Sequence, residues 1–319
     1  MAGIGSRPAP ARPNLVTRPF NRFLDSDIFY SFRRRPGVIL SAIVVLLFVV
    51  SAVFAHWVAP HNPFDLATLN LLDAFTPPAF TAKGNPAYLL GTDDQGRDVL
   101  SAIIYGSRMS LLVGVLATLL AMVFGVSLGL VSGYAGGKID AFIMRVADVQ
   151  LSFPAILIAL LVDGLARAAL PRDMHDTVAV YVLVLAIAAS GWVRYARTVR
   201  GSTLVERNKE YVQAARVIGR HPLAIMFTHV LPNALGPVLV LVTLHIGEAI
   251  ITEATLSFLG VGVPPTQPSL GTLIRIGNDF LFSGEWWITV FPGAALVMLV
   301  LAINVLGDWL RDALNPRLR

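Results

Sequence analysis

The stretch LVERNKEYVQAARVIGRHPLAIMFTHVLP, residues 204–232, is a charged island in a chain that is otherwise strongly apolar. Leu204, Tyr211, Ala215 and Ile218 fall at helical spacing on one apolar stripe, with Glu206, Arg207, Lys209, Glu210 and Arg216 on the other faces. The pattern predicts a short amphipathic helix that stops at Gly219, a residue suited to a left-handed C-terminal cap. Pro222 opens a second helix at its first position, where the missing N–H has no intrahelical partner to lose, and Pro232 ends or kinks that helix. The expected product is a helix-turn-helix elbow presented to water.

Around the elbow the composition is that of an all-α integral membrane protein, with 55% hydrophobic and only 14% charged residues and a mean hydropathy of +0.68. The chain has no cysteine, which excludes disulfide frameworks, thiol nucleophiles and cysteine-based metal sites. Apolar runs predict six transmembrane helices, at about 38–58, 109–132, 141–162, 177–193, 234–255 and 288–306. Residues 1–37 form a polar tail that ends in the basic run Arg33, Arg34 and Arg35. The apolar run after it is longer than the core of a cleavable signal and is read as the first span. Residues 59–107 are a long proline-rich loop, 108–310 the core carrying five spans and the elbow, and 311–319 a second tail. With both termini and the elbow inside, 18 of the 25 Lys and Arg residues lie on inner segments and six on outer ones. That is the bias of a multi-pass protein oriented by its positive charge. The net charge of +5 therefore follows topology, and no basic domain for nucleic acid is present.

Several polar groups sit where such a chain holds few. Gly125, Gly129 and Gly133, at intervals of four, line one helix face and let a neighbouring helix approach closely. The turn from Gly133 to Lys138 is no P-loop, because Ser132 stands where glycine is needed and Ile139 where serine or threonine is needed. Asp93, Asp94, Arg97 and Asp98 read as a turn with a helix N-cap, since Arg97 would compete with a cation. Arg145 and Asp148, three apart, predict a local ion pair. His245, Glu248 and Glu253 lie within the fifth span, where ionisable groups are costly and face a cavity or a partner. They are candidates for a translocation path or for interhelical hydrogen bonds. His245-Ile-Gly-Glu248 is not a metalloprotease motif. Pro264, Pro265 and Gly271 break up the segment after the fifth span, and Trp286 and Trp287 are expected to anchor it at headgroup depth. No nucleophile, base and oxyanion constellation is visible.

Ala214, Ala215, Gly219, His229, Leu231 and Pro232 resemble, in type and spacing, the "EAA" loop of ABC importer permeases, with Gln213 standing where the motif name puts glutamate. LGTDDQGRDVLSAIIYGSRMSLLVG, SFLGVGV and the GDWLRDALNPRLR ending are similar to the "C" partner of dipeptide and oligopeptide permease pairs. The resemblance covers residues 36–319. It implies a type I ABC importer permease fold whose cytoplasmic elbow docks on an ATPase. It further implies a bacterial inner-membrane complex with a second permease, two ATPase subunits that hold ATP and Mg, and an extracytoplasmic binding protein that delivers peptide. This chain itself would bind no cofactor or metal and catalyse no reaction. Nickel chelates or glutathione are alternative cargoes, and a proton-coupled secondary transporter working through His245, Glu248 and Glu253 is the alternative of another class.

Overall fold

A computed structural model describes residues 27–65, 69–264 and 266–314. The tail through residue 26, Pro265 and the final five residues with the PRLR ending lie outside the described residues. Within them the chain is helical, and no β-strand is formed. In order, the helices are α1 Asp27–Arg33, α2 Pro36–Val53, α3 Ala55–Val58, α4 Val99–Ala135, α5 Gly137–Leu151 and α6 Ala155–Ala169. They continue with α7 His175–Glu206, α8 Glu210–Val217, α9 Pro222–Ile225, α10 Leu231–Ala234, α11 Gly236–Phe258, α12 Leu270–Asn278 and α13 Trp287–Leu314.

Five helices, α2, α4, α7, α11 and α13, are long and apolar enough to cross a membrane, and the bent pair α5–α6 is a sixth candidate. The first apolar run is interrupted at Phe54, so that α2 covers only part of residues 38–58. The expected third span is not one straight helix. Its two halves meet at 96° across Ser152, Phe153 and Pro154. Pro154 has no N–H to continue the ladder and disfavours helical geometry at the residue before it, which a hydropathy window does not register.

Two spans are longer than their apolar runs. Helix α4 begins at Val99, capped by Asp98, whose side chain accepts from Ser101 N. Its 37 residues extend about 55 Å at about 1.5 Å each, well past a hydrocarbon core of about 30 Å. Helix α7 continues through Arg194, Arg197 and Arg200 to Glu206, because no proline follows its apolar part and the helix carries Gly201 in its interior.

The most extensive helix contact joins α4 to α7. At the end away from the elbow, Val99, Ile103, Leu270, Leu273, Trp287 and Leu299 form one core cluster. Trp287 is buried there and its Nε1 donates to Thr92 O at 3.0 Å, so this ring is a packing anchor, whereas Trp286 is the exposed one. Gly271 does not break the chain. It lies inside α12, where a Cβ would overlap the backbone of Ala254, and the short helix thereby seats against α11. The acidic turn is capped as expected. Asp93 Oδ1 accepts from Gln95 N and Arg97 N, both at 2.9 Å, and Arg97 Nε binds Asp93 Oδ2 at 2.6 Å.

Candidate coupling elbow and membrane path

The elbow is built by local capping chemistry. Helix α8 ends in a paired cap, with Gly219 N donating to Arg216 O at 3.0 Å and Arg220 N to Ala215 O at 3.1 Å. Gly219 takes φ +77°, the left-handed geometry that cap demands, and nothing lies within 4 Å of where its Cβ would be. The requirement for glycine is thus conformational rather than steric. Next, His221 Nδ1 accepts from Leu223 N at 3.3 Å, and Pro222 occupies the first turn of α9. Ahead of Pro232, which supplies no N–H, the helix widens into a π-helical turn, Met226–Val230, and then runs through α10 into α11.

The apolar stripe differs from the one expected. Leu204 belongs to α7, and Tyr211 and Ile218 are exposed. The buried face of α8 is Val212 with Ala215, and with Ile225, Met226 and Val230 it packs against Leu130 of α4 and Tyr195 and Val199 of α7. The elbow is therefore one hydrophobic body with the two longest spans. Gln213 and Ala214 face outward, with Gln213 Nε2 3.5 Å from Arg207 O. Leu231 is half-buried against this same cluster and Pro232 is exposed.

Polar contacts lock the angle. Tyr211 OH donates to the Glu206 carboxylate and accepts from Asn233 Nδ2 at 3.1 Å. Asn233 Nδ2 also reaches His229 O at 2.8 Å, and the His229 ring stacks on Tyr211 with centroids 6.3 Å apart. The hydrogen bond to Glu206 holds the Tyr211 phenol above its ordinary pKa, so that it stays protonated and donating near neutrality. One ring thus ties together the ends of α7, α8 and α10. Arg216 lies 5.2 Å over the Tyr134 ring, and Arg207 Nη1 donates to Gly133 O at 2.8 Å, which fastens the elbow to the end of α4. The residue pattern alone did not reveal Glu206, Tyr211 and Asn233 as a unit. Tyr211→Phe is expected to leave folding intact and to lower coupled transport roughly threefold to tenfold, because one or two modest hydrogen bonds are lost. Uptake per inserted protein, measured beside thermal stability, checks this.

Within the spans, Gly125, Gly129 and Gly133 face α7, where added Cβ atoms would overlap Trp192 and Tyr195, Ala196, and Thr203 and Arg200 respectively. Arg194, Arg197 and Arg200 recur every three residues along α7, and each meets an acid. Arg194 forms a two-pronged pair with Glu248 of α11, Arg197 Nη2 binds Asp148 at 2.5 Å, and Arg200 binds Asp140 at 2.5 and 2.6 Å. Asp148 therefore pairs across helices and not with Arg145. The trio of α11 also divides. His245 is buried, its Nδ1 3.0 Å from Tyr195 OH and its ring against Gly191. Glu253 is fully buried and accepts from Ser110 and Ser257 hydroxyls, each at 2.7 Å. Only Glu248 keeps a half-exposed carboxylate, 44% against 47% for its partner Arg194.

Residues 125–319 match the family model described as binding-protein-dependent transport system inner membrane component, and residues 25–78 match the N-terminal transmembrane domain of oligopeptide transport permease C. The chain is 39% identical over 293 residues to the dipeptide transport system permease protein DppC of Haemophilus influenzae, covering 92% of this chain and 95% of that one. It is 40% identical to DppC of Escherichia coli, over 92% of this chain and 93% of the other. It is 36% identical to the oligopeptide transport system permease protein OppC of Bacillus subtilis, over 92% and 90%. Among solved structures, an inward-facing MetNI methionine ABC transporter aligns with a TM-score of 0.53 at 18% identity, covering 67% of this chain and 96% of that one, which is a likeness of fold.

Proposed function

This chain belongs to the binding-protein-dependent transport system inner membrane components, and from that premise we propose that it is the C-type permease of an ATP-driven importer of di- and oligopeptides, worked through its elbow by separate ATPase subunits. The observation that carries the coupling role is the outer surface of the elbow. Val217 and Ile218 are 87% and 76% exposed at the tip of α8, beside the Gly219 cap. Two adjacent apolar side chains on a polar elbow are what a docked partner would cover. The elbow is assigned to the cytoplasmic side by the charge bias, with both termini on that side.

Force applied at α8 reaches the spans because Val212, Ala215, Met226 and Val230 share one core with Leu130, Tyr195 and Val199. Closure of the ATPase pair would move this body as a unit and bias an equilibrium between inward-open and outward-open arrangements, as any coupling of this kind requires differential contact in the two states. ATP and Mg belong to the partner subunits in this reading. A second permease completes the path, and an extracytoplasmic binding protein supplies the peptide.

Along the path the reading assigns Arg194 and Glu248 to the aqueous side. A half-exposed ion pair on two apolar spans is disfavoured against lipid and suits a wet cavity or the seam with the second permease. His245 and Glu253 hold helices together instead. Glu248→Gln is expected to lower ATP-dependent uptake roughly threefold to tenfold, a modest effect for a pair screened by solvent, while basal ATP hydrolysis persists. The test of function is uptake of labelled alanyl-alanine into proteoliposomes holding the complex and its binding protein. ATP-dependent uptake, undiminished by excess glutathione or nickel–histidine chelate, is expected. Uptake driven by a proton gradient without ATP would contradict the reading, and competition by either of the other cargoes would reassign the substrate.

A further inference from the structure

Glu253 lies inside α11 with no exposed surface, and among the described residues no basic side chain pairs with it. Burying an acid in an apolar span is costly, and an apolar residue of similar volume is often as stable at such a site or more so. Stability alone therefore gives no reason for a carboxyl group here.

The two partners of Glu253 supply one. Its Oε2 accepts from Ser110 Oγ of α4 and its Oε1 from Ser257 Oγ of α11, each at 2.7 Å. Each serine oxygen also accepts a main-chain N–H from beyond α11. Ser257 takes Val263 N at 3.2 Å, and Ser110 takes Leu270 N, at the start of α12, at 3.3 Å. A hydroxyl has one proton and two lone pairs, so giving the proton to Glu253 leaves the lone pairs for the main chain. One side chain thus ties down both ends of the connection between α11 and α12. Thr272 Oγ1 donates to Val263 O at 3.3 Å and draws those ends together. The fit against α11 is close, because a Cβ on Gly262 would stand 2.1 Å from Ser257 Oγ and 2.5 Å from Ser257 Cα. Between the tied ends, exposed Thr266 and Gln267 line a cavity of about 850 Å³ with Met109 and Leu112 of α4 and Thr177 and Tyr181 of α7.

We propose that Glu253 is a positioning residue. Acting through Ser110 and Ser257, it sets where the α11–α12 connection crosses the outer end of the bundle, and so where Thr266 and Gln267 stand on the cavity wall. The two oxygens of one carboxyl group accept from both serines at once, across the gap between α4 and α11. A leucine in its place offers no acceptor, and each serine hydroxyl then turns back to a carbonyl one turn earlier in its own helix. The N–H groups of Val263 and Leu270 lose their oriented acceptors and the connection loosens. That cargo passes this wall rests on the transport reading above, whereas the tie itself does not.

The absence of cysteine allows a direct test. Val263→Cys places a single thiol at a position that is 4% exposed, so a membrane-impermeant maleimide reaches it only when the connection lifts. In the full complex in proteoliposomes, adding Glu253→Leu is expected to speed labelling at least about tenfold, the equivalent of one or two such hydrogen bonds. Glu253→Gln keeps the shape and one acceptor, and its labelling is expected to stay within roughly threefold of the parent. The melting midpoint of Glu253→Leu should not fall, and ATP-dependent uptake should drop in Glu253→Leu and recover in Glu253→Gln. Should Glu253→Leu fail to assemble, Gly262→Ala pushes the connection off Ser257 with the acid in place and is expected to speed labelling too. Unchanged labelling in Glu253→Leu, or a lower melting midpoint with equal labelling in all variants, would make Glu253 a packing residue and overturn the proposal. Faster labelling with undiminished uptake would uphold the tie and overturn its part in transport.

Discussion

Gly129→Leu abolishes the folded pairing of α4 with α7, and detergent-solubilised protein carrying it fails to elute as a monodisperse peak. The side chain has nowhere to go. A Cβ at this position already lies 2.9 Å from Ala196 Cα and 3.0 Å from its carbonyl carbon, so the obstacle is backbone and cannot rotate aside. Gly125 and Gly133 on the same stripe meet Tyr195 Cβ at 2.5 Å and Thr203 Cβ at 2.7 Å, which holds the two helices at close approach over about two turns. Separating them to admit leucine would also part Leu130 from Tyr195 and Val199 and loosen the seat of the elbow. Overpacking commonly costs about 1–3 kcal/mol where side chains can adjust. Here they cannot, and the cost exceeds about 3 kcal/mol, a large share of the roughly 5–15 kcal/mol that holds a domain folded. The control is Gly164→Leu in α6, where nothing lies within 4 Å of the Cβ and the elution profile should stay normal. A wild-type profile for Gly129→Leu would show that α4 and α7 do not pack as described.

The second large effect is expected at the tip of the elbow. Val217→Asp combined with Ile218→Asp leaves insertion and thermal stability near wild type and reduces ATP-dependent uptake to background. Both side chains point into solvent, so charge there removes nothing from the core formed by Val212 and Ala215. In a docked state the same carboxylates would be buried without partners, and each uncompensated charge costs several kcal/mol. Two of them are enough to lower occupancy of the ATPase on the permease by more than about a hundredfold. Co-purification of the ATPase with tagged permease reads docking directly. Retained co-purification with retained uptake would place the docking surface elsewhere on the chain.

The elbow was legible in the sequence because its determinants are local. Gly219 and Pro222 act within a few residues of themselves, and the cap and first-turn geometry they predict are the ones found. The stripe was misread for an equally local reason, namely that α7 runs through Glu206, so that Leu204 belongs to a different helix and the phase restarts at Glu210. The 96° bend was hidden because apolar composition continues across Pro154. Ionisable residues announce themselves in a membrane span, but their partners do not. Asp148 has Arg145 three residues away and yet pairs with Arg197, 49 positions on, and Glu248 meets an arginine 54 positions earlier. Trp287 shows the same limit. Interfacial aromatic residues are enriched on average, whereas this ring is committed by a hydrogen bond to Thr92, 195 positions away.

The central claim, that the tip of α8 is the surface on which an ATPase subunit docks, is open to a direct measurement because the chain contains no cysteine. Val217→Cys introduces a single thiol at the elbow, and Leu72→Cys introduces one on an exposed site in the proline-rich loop at the other end of the chain. With a short bis-maleimide and an ATPase bearing one engineered cysteine in its permease-facing cleft, the account predicts a covalent permease–ATPase product from Val217→Cys and none from Leu72→Cys. The yield should change when ATP is added, as the elbow shifts between states. Absence of a product at Val217, with the ATPase still co-purifying, would contradict the account.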